Sequence, residues 1–321
     1  MKKVILFVFY ILTASAALGQ TLQRTLLSHN GNLTQYDANH WQKAFTNAVA
    51  GDTIYFTPGL FSGALTIDKP LTLIGAGVGQ EDCNSSIKAV YGNYYTTGSS
   101  TKLDTHITIA IPDSVTLTSC MFEGFHLSGI TVSNALAGLS LRRCHISNYI
   151  GAEASVVNLT LESCYINNIS GNNRWFINPD IHNCRINNFT GLLEGTSFTN
   201  CVFNTPSYSQ PWQGKENLTF VNCIFQNSTP GYCTFVNCLY YTTGSNSTYT
   251  NCWKVNNGHN LSAEEITTAG YIGTDGTIVG TFGGPAPFTM KPSQPYIEVG
   301  SAEYDATNKV LNVSVKVKRG E

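Results

Sequence analysis

The order of apolar and polar residues divides the chain into four stretches. Residues 4–12 form an apolar run behind Lys2 and Lys3, with small residues at 14–19. That pattern reads as a secretory signal peptide spanning 1–19, shorter in its apolar core than the roughly 20 residues a membrane span needs. No Cys follows the small residues, so a lipid anchor is not indicated. Residues 39–50 carry Trp41, Ala44, Phe45, Ala48 and Val49, the spacing of one helix face, with Asn39 placed to cap it and Gly51 to end it. From residue 51, short alternating runs broken by Pro58-Gly59 and Lys69-Pro70 predict strands. The tail, 257–321, is Gly-rich at 273–288, then alternates at 296–299 and 310–317 around a turn-like 305–308, which predicts a β-hairpin.

Between 115 and 256 one motif recurs. The strings LTSCMF, SLRRCHI, LESCYI, IHNCRI, FTNCVF, FVNCIF, FVNCLY and YTNCWK centre on Cys120, Cys144, Cys164, Cys184, Cys201, Cys223, Cys238 and Cys252. Their spacings are 24, 20, 20, 17, 22, 15 and 14 residues, the mark of a solenoid. Three residues before each Cys stand Leu117, Leu141, Leu161, Ile181, Phe198, Phe220, Phe235 and Tyr249, expected to face inward. Two polar residues then make a corner, where Asn tolerates left-handed backbone angles. Cys follows inward, its neighbour outward, and Phe122, Ile146, Ile166, Ile186, Phe203 and Phe225 inward again. Coils stacked about 4.8 Å apart give ladders of Cys, apolar and Asn side chains. Parallel Cβ vectors suit disulfides poorly, so most of these thiols are expected free. Cys83 and Cys233 fall outside the motif and have no assigned partner. The last two spacings are short for a three-sided coil: either the coils taper or these strings are not full turns.

These features resemble the right-handed parallel β-helix superfamily of pectate lyases. The opening GDTIYFTPGLFSGALTIDKPLTLIGAG behind a capping helix resembles the usual start of that superfamily, and the likeness covers residues 37–256. The tail resembles one that follows β-helices in secreted proteins of gut-type Bacteroidetes. The expected architecture is all-β: a right-handed parallel β-helix over 51–256, an N-terminal segment with a capping helix over 20–50, and a C-terminal Gly/Pro-rich segment and β-hairpin cap over 257–321.

Composition follows from this repeat. Only 12% of the 321 residues are charged, the net charge is −2, and 30 Asn and 29 Gly replace the missing charge. Without basic blocks, nucleic acid is not an expected partner. With 42% hydrophobic residues the chain is not disordered.

The resemblance implies polysaccharides as ligands along one flank, and either a Ca²⁺-assisted lyase or a hydrolase using paired Asp. The repeat holds a single Asp, Asp180, and five Glu, at 123, 153, 162, 194 and 216, a poor supply for both mechanisms. The residues after Cys in three consecutive coils, His145, Tyr165 and Arg185, are the candidate catalytic column, expected outward. Arg142, Glu162 and His182, two before Cys, form a second column and candidate glycan contacts. The alternative is a solvent-facing ladder in which Arg142–Glu162 is a surface ion pair. Trp175 and Trp212, with Tyr208, Tyr91, Tyr94 and Tyr95, are candidate sugar-stacking rings, or pack loops onto the body. The Cys spacing follows the coil and not a metal-ligand interval, so no metal or other cofactor is expected. Gly75 to Gly79 lacks a following Gly-Lys-Ser/Thr and reads as a turn. The expectation is an exported protein, extracellular or periplasmic, that binds glycan or a surface partner without catalysis, with a lyase or hydrolase as the alternative.

Overall fold

The computed structural model describes residues 23–78, 101–112, 119–171, 176–189, 193–194, 196–204, 218–227, 229–255, 261–290, 296–305 and 310–318. Within them the repeat winds into a parallel β-solenoid. Successive turns each give one strand to sheet A, of 12 strands, and one to sheet B, of 11. Among the described residues a third side carries strand at Val156–Val157, Phe176–Ile177 and Leu193–Glu194. Thr234–Val236 with Leu239–Tyr240, and Thr248–Thr250 with Trp253–Lys254, still pair into both sheets. The short spacings are therefore complete turns that have lost only the third-side strand, the taper that the spacing left open.

The corner between the sheets explains the Asn. Arg143, Ser163, Asn183, Asn200, Asn222, Asn237 and Asn251 all hold positive φ of 50–54°. That region costs most L-residues about 1–2 kcal/mol, and Asn is among the few that visit it routinely. The next residue turns back into the core: Cys144, Cys164, Cys184, Cys201, Cys223 and Cys238 are fully buried, and Cys252 partly so. Each thiol lies near the carbonyl oxygen two residues earlier, and six of the seven also near one on the preceding coil, as Cys164 Sγ does with Glu162 O and Leu141 O, both at 3.3 Å. All nine described cysteines are free thiols; Cys83 lies outside the described residues.

Cys120 is a correction. Register pairs it with Leu139, and Phe122 with Leu141. The corner of that coil is Gly124 (φ 73°), and Phe125 holds the place taken elsewhere by Cys. LTSCMF meets the motif's polarity rule five residues too early. Gly75 and Gly124 approach backbone to backbone here: a Cβ on Gly75 would strike the Gly124 carbonyl, and one on Gly124 would stand a tight 3.1 Å from the Gly75 carbonyl oxygen.

Inside, Phe198, Phe220, Phe235 and Tyr249 form a face-to-face stack. Each buried Phe contributes about 1.5–3 kcal/mol relative to exposure.

The predicted helix is shorter than its pattern. α1 (Lys43–Asn47) starts at Gln42 and ends at Ala48. Asn39 does not cap it; its N–H and that of His40 both donate to Asp37 Oδ1 at 3.0 Å. Trp41, Ala44, Phe45 and Ala48 are buried as their spacing predicts, but Val49, beyond the helix, is 49% exposed. Lys69 Nζ donates to the Phe45 and Ala48 carbonyls at the helix end. An antiparallel hairpin, Arg24–His29 with Asn32–Asp37, pairs onto Thr53–Phe56 and occupies that edge of sheet A. It does not stand out in the sequence, because Leu26 and Leu27 break alternation.

After the last coil, α2 (Ala263–Thr268) opens with a capping box between Ser262 and Glu265. The chain then runs back along the solenoid. Asn237 Nδ2 donates to Thr274 Oγ1, Asn222 Nδ2 to Asp275 Oδ2, and Asn183 Nδ2 to the Thr281 and Gly283 carbonyls. Thr289 N donates to Ser163 Oγ. Residues 271–290 are thus a strap laid over the Asn corner of the solenoid's side. The hairpin expected in the tail is present as Tyr296–Asp305 paired with Val310–Lys318.

Candidate functional site

Two outward columns flank the corner, on different sheets. On sheet B the register runs Lys102, His126, His145, Tyr165, Arg185, Val202, Ile224, Leu239, Trp253. His145, Tyr165 and Arg185, expected in solvent, are 7%, 3% and 1% exposed. Further along the same column the chain that follows the last coil covers the slot. Val202, Ile224 and Leu239 cluster with Val255 and with Ile266 and Val279 of the returning chain, and Phe288 and Met290 are buried outright. The imidazoles of His126 and His145 stack 4.5 Å apart, and Tyr165 meets His145 edge-on at 4.9 Å. Arg185 Nη2 donates to Asn204 Oδ1 at 2.7 Å. The column is buried packing where a solvent-facing one was expected. A signal existed in the sequence: an outward slot that turns to Val, Ile and Leu in later coils is one that something covers.

Two residues further along sheet B runs an amide ladder that the motif did not predict. Asn187 Nδ2 donates to Tyr165 Oη at 2.6 Å and to Asn167 Oδ1 at 3.2 Å, and Asn204 Nδ2 to Asn187 Oδ1 at 2.9 Å. Its trace is the Asn three after Cys in CYIN, CRIN and CVFN. Several strands away on the same sheet, burial holds the His106 imidazole below its usual range, and His106 Nε2 lies 2.6 Å from Thr131 Oγ1.

Sheet A keeps an accessible outward face. One column reads Met121, Ser140, Thr160, Asp180, Ser197, Thr219, Thr234, Thr248; the next reads Glu123, Arg142, Glu162, His182, Thr199, Val221, Val236, Thr250. Arg142 and Glu162 are directly opposite and pair in bidentate fashion, Nε–Oε2 at 2.7 Å and Nη2–Oε1 at 3.2 Å. The carboxylate raises the Arg142 pKa further. Around the corner Arg143 Nη1 donates to Glu123 Oε1 at 3.1 Å, and both side chains are buried. Where Gly138 thins the face, a shallow groove of about 260 Å³ opens over Thr72, Ser119, Met121, Ser140, Asn158 and Thr160. Arg142, Glu162 and His182 do not line it but stand in the next outward column of the same sheet. Trp175 and Trp212 lie outside the described residues, as do Tyr91, Tyr94, Tyr95 and Tyr208.

The arrangement offers hydroxyl, amide and thioether groups, and little acid–base chemistry. On this face Glu162 is held by Arg142 and Glu123 by Arg143, which leaves Asp180 without a described partner carboxylate. Among the described residues no three His, Cys, Asp or Glu side chains converge as metal ligands, and no helix is long and apolar enough to cross a membrane. No family model, no curated protein and no solved structure matches this chain, so it is a parallel β-solenoid whose family is set by none of these comparisons.

Proposed function

We propose that the chain is an exported, non-catalytic member of the pectate-lyase-like superfamily that binds an extracellular glycan along sheet A. The apolar leader at 4–12 supports export, and the β-solenoid with its GDTI opening supports the superfamily. The observation that carries the binding reading is the groove at Gly138, with its hydroxyl and amide lining from Thr72, Ser119, Ser140, Asn158 and Thr160, on the same sheet as Arg142, Glu162 and His182. Sugar hydroxyls take hydrogen bonds of both senses from Ser, Thr and Asn, and a methyl or thioether floor accepts the apolar face of a ring. With Glu123 and Glu162 occupied by arginines, no free carboxylate pair stands on this face among the described residues.

The test incubates purified protein with acidic and neutral polysaccharides and follows binding, absorbance at 235 nm and reducing ends. Binding without turnover, lost in Ser140→Trp, is the expected result. Turnover that disappears in Glu162→Gln while the fold is retained would replace this reading with a lyase or hydrolase.

A further inference from the structure

Four successive coils away from the groove build a different kind of surface. Their sheet A strands are Ser197–Thr199, Thr219–Val221, Thr234–Val236 and Thr248–Thr250. The central residues Phe198, Phe220, Phe235 and Tyr249 point inward. Their rings lie 5.0, 5.0 and 4.9 Å apart, with interplanar angles of 6°, 5° and 11°. Rings this parallel relate the coils by nearly pure translation, whereas neighbouring strands usually rotate by about 20–25°. Side-chain ladders of this kind are what flattens a sheet.

The outward residues inherit that translation. Ser197, Thr219, Thr234 and Thr248 form one column in register, and Thr199, Val221, Val236 and Thr250 the other. Neighbours repeat at about 5 Å along the axis, and the columns stand about 6.7 Å apart, two residues of extended strand. Six of these eight residues carry a hydroxyl and seven are β-branched, which fixes χ1 and hence the hydroxyl and methyl positions. All eight are exposed or half-buried, and none is charged. The nearest charge in the first column is Asp180, one coil back.

Such a face lacks what a protein partner would use, an aromatic or Arg anchor fitted to a pocket. Its lack of charge gives an ionic ligand nothing to pair with. It matches a periodic, uncharged solid built from hydrogen bonds. The two spacings are close to the repeats of the prism face of hexagonal ice. We propose that this eight-residue lattice is an ice-binding surface. The hydroxyls hold waters at lattice positions while the methyls between them limit the other places those waters can take. The phenylalanine stack beneath keeps the array rigid, so little ordering remains to be done at the crystal surface.

The test uses the full mature chain in ice-recrystallisation and thermal-hysteresis assays. Thr234→Tyr places a bulky ring at the centre of the lattice, and Ser147→Tyr, exposed on sheet B, serves as the control; melting curves verify both folds. Expected is inhibition of recrystallisation at micromolar wild type, retained in Ser147→Tyr and abolished in Thr234→Tyr. Wild type indistinguishable from an inert protein, or a folded Thr234→Tyr as active as wild type, overturns the proposal. The glycan groove lies on other coils, so neither outcome bears on polysaccharide binding there.

Discussion

Asn183 and Thr281 stand 98 residues apart in the chain and share a hydrogen bond, Asn183 Nδ2 to the Thr281 carbonyl at 3.0 Å. The same amide reaches Gly283 O at 2.9 Å, while its backbone holds φ at 50°. One side chain thus serves a corner and a tether. Asn183→Gly keeps the left-handed corner and loses the tether, taking a donor from the Gly283 carbonyl while Thr281 O keeps its bond from the Phe288 N–H, at a cost of about 1–3 kcal/mol. Asn183→Ala adds about 1 kcal/mol for the strained corner. Urea unfolding of the two variants separates the roles; a Gly variant as stable as wild type would mean that the strap is held elsewhere.

The buried thiols of Cys120, Cys144, Cys164, Cys223 and Cys233 should react slowly in the native protein. Only the thiolate reacts appreciably, and burial pushes the Cys120 thiol up to about 11 and that of Cys233 to about 12. Burial raises Cys144, Cys164 and Cys223 as well. At pH 8 a thiol reagent should label native protein slowly and reach half-exposed Cys252 first. Denatured without reductant, the protein should release all seven thiols of the cysteine column. Finding none would establish disulfides where free thiols stand.

Two ion pairs one residue apart should differ sharply. Arg143–Glu123 is buried, and removing one partner of such a pair typically costs about 3–5 kcal/mol, because a charge is left in the interior. Arg142–Glu162 is partly in water and is worth under about 1 kcal/mol. Glu123→Gln should therefore lower the melting temperature well beyond Glu162→Gln. Equal effects would mean that water reaches Glu123.

Much of the solenoid was legible because coil stacking imposes one demand per slot: Cys184, Cys201 and Cys223 meet the same inward slot, Asn183, Asn200 and Asn222 the same left-handed corner. Phe125 was hidden because a larger apolar residue with a Gly before it satisfies the slot that Cys fills elsewhere. The burial of the His145–Tyr165–Arg185 column was hidden for a different reason. Alternation tells which side of a strand faces away from the coil's own core, but not whether another part of the chain lies over it. His145, Tyr165 and Arg185 are polar, yet Val202, Ile224 and Leu239 in the same slot belong to a covered surface. Arg142 and Glu162 read correctly because their partnership needs only register. The groove at Gly138 left no trace, since it depends on a missing side chain among neighbours distant in sequence.

His106 should make stability depend on mild acid. Its folded pKa lies below 6.5 because burial disfavours the imidazolium. The unfolded chain then binds the proton more readily, so stability rises with pH through that window. The contribution is complete above about pH 6.5 and is lost as pH falls toward the folded value. The melting temperature of wild type should drop between pH 7 and 5 more than that of His106→Gln; parallel curves would assign the drop to other groups.

A solenoid in which each coil touches only its neighbours can melt coil by coil from either end. The strap removes that freedom. It crosses from the coil of Asn237 to that of Ser163, tying non-adjacent coils with bonds that all fail together. Fraying of the last coils cannot proceed alone, since the chain leaving them is fastened further back. The expected thermodynamic character is a single sharp transition, and a chain ending at residue 255 should instead lose its C-terminal coils progressively and at lower temperature.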